Sequence, residues 1–498
     1  MHRNFKMMHY LPTPIFVRHA FAASLLACAM SGMAPSVATA GEWRLSPTVE
    51  VEQSFTDNAR SVDKGQEADM ITTATAGIGI VGNGQRVQLD FNYDLSKDIF
   101  WDNSDLNTFR HSLLGSGNVE LWEDHIFIDT RASISQQSLA RSGGITASDR
   151  GAGSNDQSMV VNYSITPNFA HRYGNWADTD MILSMSEVRF LDTDTGSANA
   201  QPDASRNIEL TTLLRSGPKF SRTKWEVNGK RSFSNDDTDR ESLELSGEYA
   251  WNRHVDILAR VGRETIDNSG INADDSAEIF WRGGARITPG PKSSLRFELG
   301  RRFGGTNLSA DASYKVGSKG SISLSYEEER TERQNLTDNL NNVTRSAVDQ
   351  SLINPLTGQP ADPNALNFDF LDKTTLQKSF SVAFNGVSGR NTYNIASTAN
   401  IQEDKNLNTE DVIVTVAAGV TRRIWPDLDG GVNMNISSTI QSSSGAEDII
   451  FTGGAFLSYT LQKNFSGDLR YNYLNRDSKV VGDDLVENTL SLSIRKQF

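Results

Sequence analysis

Thr223-Lys224-Trp225-Glu226-Val227-Asn228-Gly229-Lys230-Arg231-Ser232-Phe233 changes character at almost every step. Thr223, Trp225, Val227, Gly229 and Phe233 fall on one face. Lys224, Glu226, Asn228, Lys230 and Ser232 fall on the other. A period of two is the period of a β-strand, whose successive side chains point to opposite faces. Arg231 interrupts the apolar face near its end, where a long basic side chain can lay its stem on apolar surface and lift its head into water. A strand of this kind has two homes. In a soluble sandwich the apolar face packs inward. In a membrane barrel the apolar face meets lipid and the polar face lines a wet interior.

The pattern recurs along the chain. Val87, Leu89, Phe91 and Tyr93 alternate with Arg86, Gln88, Asp90 and Asn92. Val255, Ile257, Ala259 and Val261 alternate with Asp256 and Arg260, and Leu469, Tyr471 and Tyr473 with Asp468, Arg470 and Asn472. The connections decide between the two homes. Short ones, such as Gly82–Gln85, Trp122–His125, Trp251–His254, Arg423–Asp427 and Leu461–Phe465, alternate with long polar ones. The long set includes 58–68, 96–107, 136–155, 191–205, 331–372, 402–410 and 475–485. Pro167–Ala177 belongs to the short set but is longer, and Phe303–Thr306 is a tight turn on the long side. Outer-membrane barrels sort their connections in this way, with short periplasmic turns and long outer loops. A soluble sandwich has no reason to do so. The expectation is an all-β, transmembrane, antiparallel up-and-down β-barrel of about 22 strands, with both termini in the periplasm.

The first residues read as an export leader. Arg3, Lys6 and Arg18 precede an apolar run over residues 20–33, and no acidic residue occurs before Glu42. Ala38-Thr39-Ala40 presents small residues at Ala38 and Ala40, the two positions a signal peptidase reads. The expected division is a leader over 1–40 and a barrel over 41–498. Cys28 is the one cysteine, and Leu25-Leu26-Ala27-Cys28 leaves lipidation as the alternative processing. Net charge is -14, or -17 without the three basic leader residues. So acidic a chain is not expected to take nucleic acid as a partner. Mean hydropathy is -0.44, and past the leader no run reaches the ~18 apolar residues of a spanning helix.

Trp122, Trp176, Trp251 and Trp425 each lie in or beside a short turn. An indole, apolar with one N–H, favours the headgroup level, so these four are expected to form a periplasmic girdle. The last strand places Leu490, Leu492, Ile494 and Phe498 on one face, with Lys496 as the exception. An alternating final strand ending on an aromatic residue resembles the signal that outer-membrane barrels show to the barrel-assembly machinery.

Two segments carry a narrower likeness. One is Glu42-Trp43-Arg44-Leu45-Ser46-Pro47, with Phe55-Thr56-Asp57-Asn58 after it. The other runs from Val119-Glu120-Leu121-Trp122 to Ile126-Phe127-Ile128-Asp129 and Ala132-Ser133-Ile134-Ser135-Gln136. Together these resemble the PEP-CTERM-system-associated outer-membrane family of bacteria that pair exosortase sorting with exopolysaccharide gene clusters. The motifs cover only the beginning of the barrel. The resemblance implies a Gram-negative outer-membrane pore tied to exopolysaccharide export, with polysaccharide or export-complex proteins as partners beside lipid and lipopolysaccharide. A general diffusion porin and a non-conducting scaffold barrel of an export assembly stay open as alternatives.

Little in the chain suggests a reaction. His111, His125, His171 and His254 remain after the leader, and no Gly-x-Ser-x-Gly elbow is present. No enzyme, cofactor or metal is expected. Asp192-x-Asp194-x-Gly196 opens like a calcium loop but lacks the glutamate that completes one. The residues expected to line the lumen are Arg86, Asp90, Lys224, Glu226, Lys230, Arg282, Arg286, Arg296, Glu298, Asp468 and Arg470. Their mixed signs argue against strong ion selectivity. Residues 331–372 form the longest connection, with a short helix expected near Val343–Leu352 and a gating role as one reading.

Overall fold

A computed structural model describes residues 41–138, 145–147, 157–191, 204–235, 238–268, 276–331, 344–345, 352–353, 375–404, 409–442, 445 and 447–498. The leader, Cys28, the Ala38/Ala40 site, the Asp192–Gly196 motif and most of 331–372 lie outside those residues. The compact unit Trp43–Phe498 is a barrel.

Its strands follow one another in chain order. They begin with β1 (Glu42–Thr56), β2 (Asp69–Asn83), β3 (Val87–Phe100), β4 (Thr108–Trp122), β5 (Ile126–Ser138), β6 (Gln157–Tyr173), β7 (Ala177–Leu191) and β8 (Ser205–Ser216). Next come β9 (Thr223–Ser234), β10 (Thr238–Asn252), β11 (Val255–Asn268), β12 (Ser276–Gly290), β13 (Ser293–Arg302), β14 (Gly305–Val316) and β15 (Gly320–Thr331). A two-residue ladder, β16 (Thr344–Arg345) with β17 (Leu352–Ile353), stands apart. The barrel resumes with β18 (Thr375–Ser388), β19 (Asn391–Asp404), β20 (Thr409–Trp425), β21 (Leu428–Gln441), β22 (Asp448–Gln462), β23 (Phe465–Ser478) and β24 (Leu485–Gln497).

Each barrel strand pairs antiparallel with its neighbours in sequence, β15 with β18, and β24 returns to β1. Thr48 lies opposite Gln497 and Thr56 opposite Thr489, so the 22-stranded sheet has no free edge. Closure lets neighbouring strands satisfy one another's backbone groups within the wall, as hydrocarbon requires. The Phe498 N–H donates to the Pro47 carbonyl (2.8 Å) and tightens that seam.

The connections sort by end as the sequence implied, with three refinements. Pro167 is not part of a turn. It lies inside β6 opposite Ile128, and the pairs Ile165–Met185 and Asn168–Ile182 keep register on either side of it. A proline removes one ladder donor without shifting register, so the turn shrinks to residues 174–176. Residues 96–100 continue β3 rather than forming loop. Barrel strands here run from 10 to 17 residues, and a bilayer needs only ~9–11. Beyond the lipid both faces can be polar, and the alternation that marks a strand fades. The ends of the helix expected near Val343–Leu352 are instead paired strands, Thr344 with Ile353 and Arg345 with Leu352. The tight turn is real: Phe303 (φ 59°) and Gly304 (φ 75°) both adopt the left-handed conformation, the signature of a two-residue type I′ hairpin.

Candidate functional site

Parity along each strand divides the wall. Leu243, Leu245 and Tyr249 of β10, Ile257 and Val261 of β11, Ile279 and Trp281 of β12, and Leu490, Leu492 and Ile494 of β24 point outward and are exposed. The opposite parity carries most of the charges, so the inner face is polar.

From β7 to β13 those inner charges form a cross-strand lattice. Arg215 joins Asp180 (3.1 Å) to Glu226 (3.2 Å), and Lys230 meets Glu209 (2.7 Å). Lys224 meets Glu248 (3.3 Å), which also holds Arg286, and Arg286 reaches Asp256 (3.4 Å). Arg260 bridges Glu244 (3.0 Å) and Glu298 (2.8 Å), and Arg296 Nε donates to Glu298 (2.8 Å). Glu264 binds both Arg240 and Arg302, the latter at 3.1 Å. Glu298 is only 2 % exposed, so its two arginines take the place of water. Arg282 breaks the pattern. It is 9 % exposed, faces Arg260 directly in the ladder, and makes no ion pair among the described residues.

Of the residues expected to line the lumen, all but Arg86 lie on strands at the polar parity. Lys224, Glu226, Lys230, Arg286, Arg296 and Glu298 enter the lattice. Asp90, on the inner parity of β3, accepts from Asn92 (2.9 Å). Asp468 and Arg470 lie on β23 within electrostatic reach of Glu50. Arg86 is the exception: it sits in the turn after β2 and meets Glu123 of the adjacent turn (3.4 Å). Sequence reasoning did not single out Arg215, Glu244, Glu248 or Glu264 as lining residues. Their parity marked the face, but nothing local marked the partners.

The four tryptophans stand at the short-turn end. Trp122 stacks on His125, and Trp176 meets Trp225 and Phe220 edge-on. Trp43 and Trp225 join them there. A Cβ on Gly82 would come within 2.4 Å of the Trp43 ring, so glycine makes room for that indole. The histidines are outward or in turns. Tyr93 hydroxyl and His111 Nδ1 are 2.7 Å apart, and His254 Nδ1 lies 2.9 Å from the Thr288 carbonyl.

Two features narrow the long-loop end. The β1–β2 and β3–β4 connections are tied together. Arg60 donates to Glu67 (3.1 Å), Asp105 (2.9 Å) and Asn103 (2.9 Å). The hydrogen bond from Arg60 holds the Asp105 carboxyl below the usual aspartate range. Beneath them Ala59, Ile71, Phe100 and Leu106 form a dry cluster. Residues 145–147 of the β5–β6 connection reach β23 and β24, five and more strands round the wall. Ile145 packs with Leu474 and Leu485, and the Ala147 N–H donates to Glu487 (2.9 Å). Glu487 in turn accepts from Thr56 (2.8 Å) and Thr489 (3.0 Å) at the seam. This three-residue strap covers part of the inner wall near the long-loop ends of β23 and β24.

No family model matches the chain, and no curated relative matches its sequence. Solved structures do. The siderophore receptor PirA from Acinetobacter baumannii is similar over 93 % of this chain and 81 % of its own, at 10 % identity and a TM-score of 0.52. The ferric enterobactin receptor PfeA from Pseudomonas aeruginosa is similar over 92 % and 81 %, at 9 % identity and 0.52. The FrpB iron transporter from Neisseria meningitidis is similar over 91 % and 82 %, at 9 % identity and 0.51. The chain is an outer-membrane β-barrel. At such identities the likeness is one of fold, and the receptors' ligands do not transfer with it.

Proposed function

We propose that this barrel is a transport pore of the envelope, with its long loops outward and both termini in the periplasm, serving the export of exopolysaccharide or another envelope polymer. The observation that carries the pore is the ion-paired inner face of a closed 22-stranded wall. Barrels of 16–18 strands already hold an aqueous channel, and a larger ring encloses more. Alternating charges that neutralise one another offer a wet, hydrogen-bonding wall without a strong field, which suits a neutral or weakly charged chain of sugars. The polymer rests on the likeness of residues 42–58 and 119–136 to the PEP-CTERM-associated family. Deleting the gene should lower secreted polymer and leave small-solute uptake unchanged. Loss of uptake with normal polymer would mark a general porin instead.

The strap over residues 145–147 favours a second reading, a scaffold barrel whose mouth stays closed. Conductance separates the two. A pore gives ohmic steps in a planar bilayer, and a scaffold gives none.

A further inference from the structure

Arg263 and Arg301 stand on the lipid-facing parity of the wall. Arg263 shares its face of β11 with Ile257 and Val261, and Arg301 shares its face of β13 with Leu295, Phe297 and Leu299. In the ladder Arg263 lies between Leu243 and Ile279, and Arg301 lies beside Trp281. Trp281 in turn faces Val261. The two arginines thus flank one indole, two inter-strand steps across and two residues along the strands, or about 12 Å apart. Both are exposed, and neither makes a hydrogen bond or ion pair among the described residues. Other outward cations near this end have partners. Arg189 and Arg206 share Glu187, Arg231 lies over Phe233, and Lys97 over Phe109.

A cation on the lipid face is costly at the bilayer midplane and nearly free at the interface. Arg263 and Arg301 sit toward the long-loop ends of their strands, the level at which an arginine finds headgroups. Each offers a planar fork of donors matched to phosphate, and no described residue accepts from it. Below them Leu245, Val261, Phe297 and Leu299 present an apolar wall to acyl chains.

We propose that Arg263 and Arg301 form a docking site for the phosphorylated disaccharide of one lipopolysaccharide molecule, with Trp281 against the sugar and the apolar wall against its acyl chains. The site needs the loop-outward orientation proposed above, which a separate measurement checks. Val481 is 98 % exposed in the β23–β24 connection, and Val481→Cys should react with an impermeant thiol reagent on intact cells. If it does not react, the orientation is wrong, and that failure is told apart from failure of the site.

The test titrates purified barrel in detergent with short-chain lipopolysaccharide, its dephosphorylated form, and phosphatidylglycerol, with binding read by native mass spectrometry. Wild-type protein should bind the phosphorylated form about tenfold more tightly than the dephosphorylated form, and R263Q/R301Q should lose about the same factor. K496Q, an outward cation at the short-turn end, should bind as wild type does. Equal binding of both forms by wild-type protein overturns the site whether or not the variant folds. Equal affinity for phosphatidylglycerol overturns the assignment to lipopolysaccharide.

Discussion

The strap can be released by a single truncation. Ile145, Leu474 and Leu485 are 4 %, 1 % and 4 % exposed and close on one another. Ile145→Ala removes three buried carbons from that contact, or about 2.5 kcal/mol at ~0.8 kcal/mol per methylene. That free energy corresponds to roughly a 60-fold rise in the undocked population. The hydrogen bond to Glu487 remains, so the strap should open more often rather than be lost. A thiol placed beneath it reports the opening. Once the expected leader is removed the barrel has no cysteine of its own, and Leu485→Cys supplies one under Ile145. When opening is fast relative to labelling, the labelling rate follows the open population. The new thiol removes part of the cluster, so Ile145→Ala should speed maleimide labelling of Leu485→Cys by about tenfold to 50-fold. A change of less than about threefold would show that residues 145–147 do not cover this part of the wall.

The lattice makes its own predictions. Glu298→Ala strands Arg260 and Arg296 beside a vacated buried site. It should cost about 3–5 kcal/mol in urea unfolding and move the reversal potential toward anion preference. Arg282→Met should act in the opposite sense. It removes an unpaired, nearly buried cation that faces Arg260, and should leave stability unchanged or raise it by about 1–3 kcal/mol. The loop tie should depend on pH. Because Arg60 lowers the Asp105 pKa in the folded loop, that contribution is full above the ordinary aspartate value near ~3.9 and is lost as pH falls through the lowered one. Exchange of the Ala59 amide, which donates to the Glu67 carbonyl (2.7 Å), should quicken there beyond its intrinsic rate. Asp105→Asn should flatten that dependence.

The fold was legible because two independent signals coincide. Period two places each side chain on a face, and the sorting of short and long connections places each strand end. Neither signal depends on distant residues. They weaken where the lipid stops dictating polarity. The end of β3 therefore read as loop, and Pro167 read as a turn although β6 carries it through. The Phe303–Gly304 hairpin was visible because so few residues separate two alternating runs.

The site was legible only in part. Parity assigned Lys224, Glu226, Arg286 and Glu298 to the lumen without help from tertiary structure. Which acid meets which base depends on register, and register is set by whole strands pairing. Arg260 therefore reaches Glu298 two strands on, a contact no local pattern records. The strap was invisible for the same reason. Ile145 lies in a polar connection, and its partners Leu474 and Leu485 are fixed only once the barrel closes and brings β24 beside β1.

The central claim is a wet lumen inside the ion-paired wall, and single-channel recording of the purified barrel in a planar bilayer tests it most directly. The account predicts discrete ohmic steps, with conductance raised by Ile145→Ala. An intact, folded barrel that stays silent at every voltage, with and without that substitution, would contradict it.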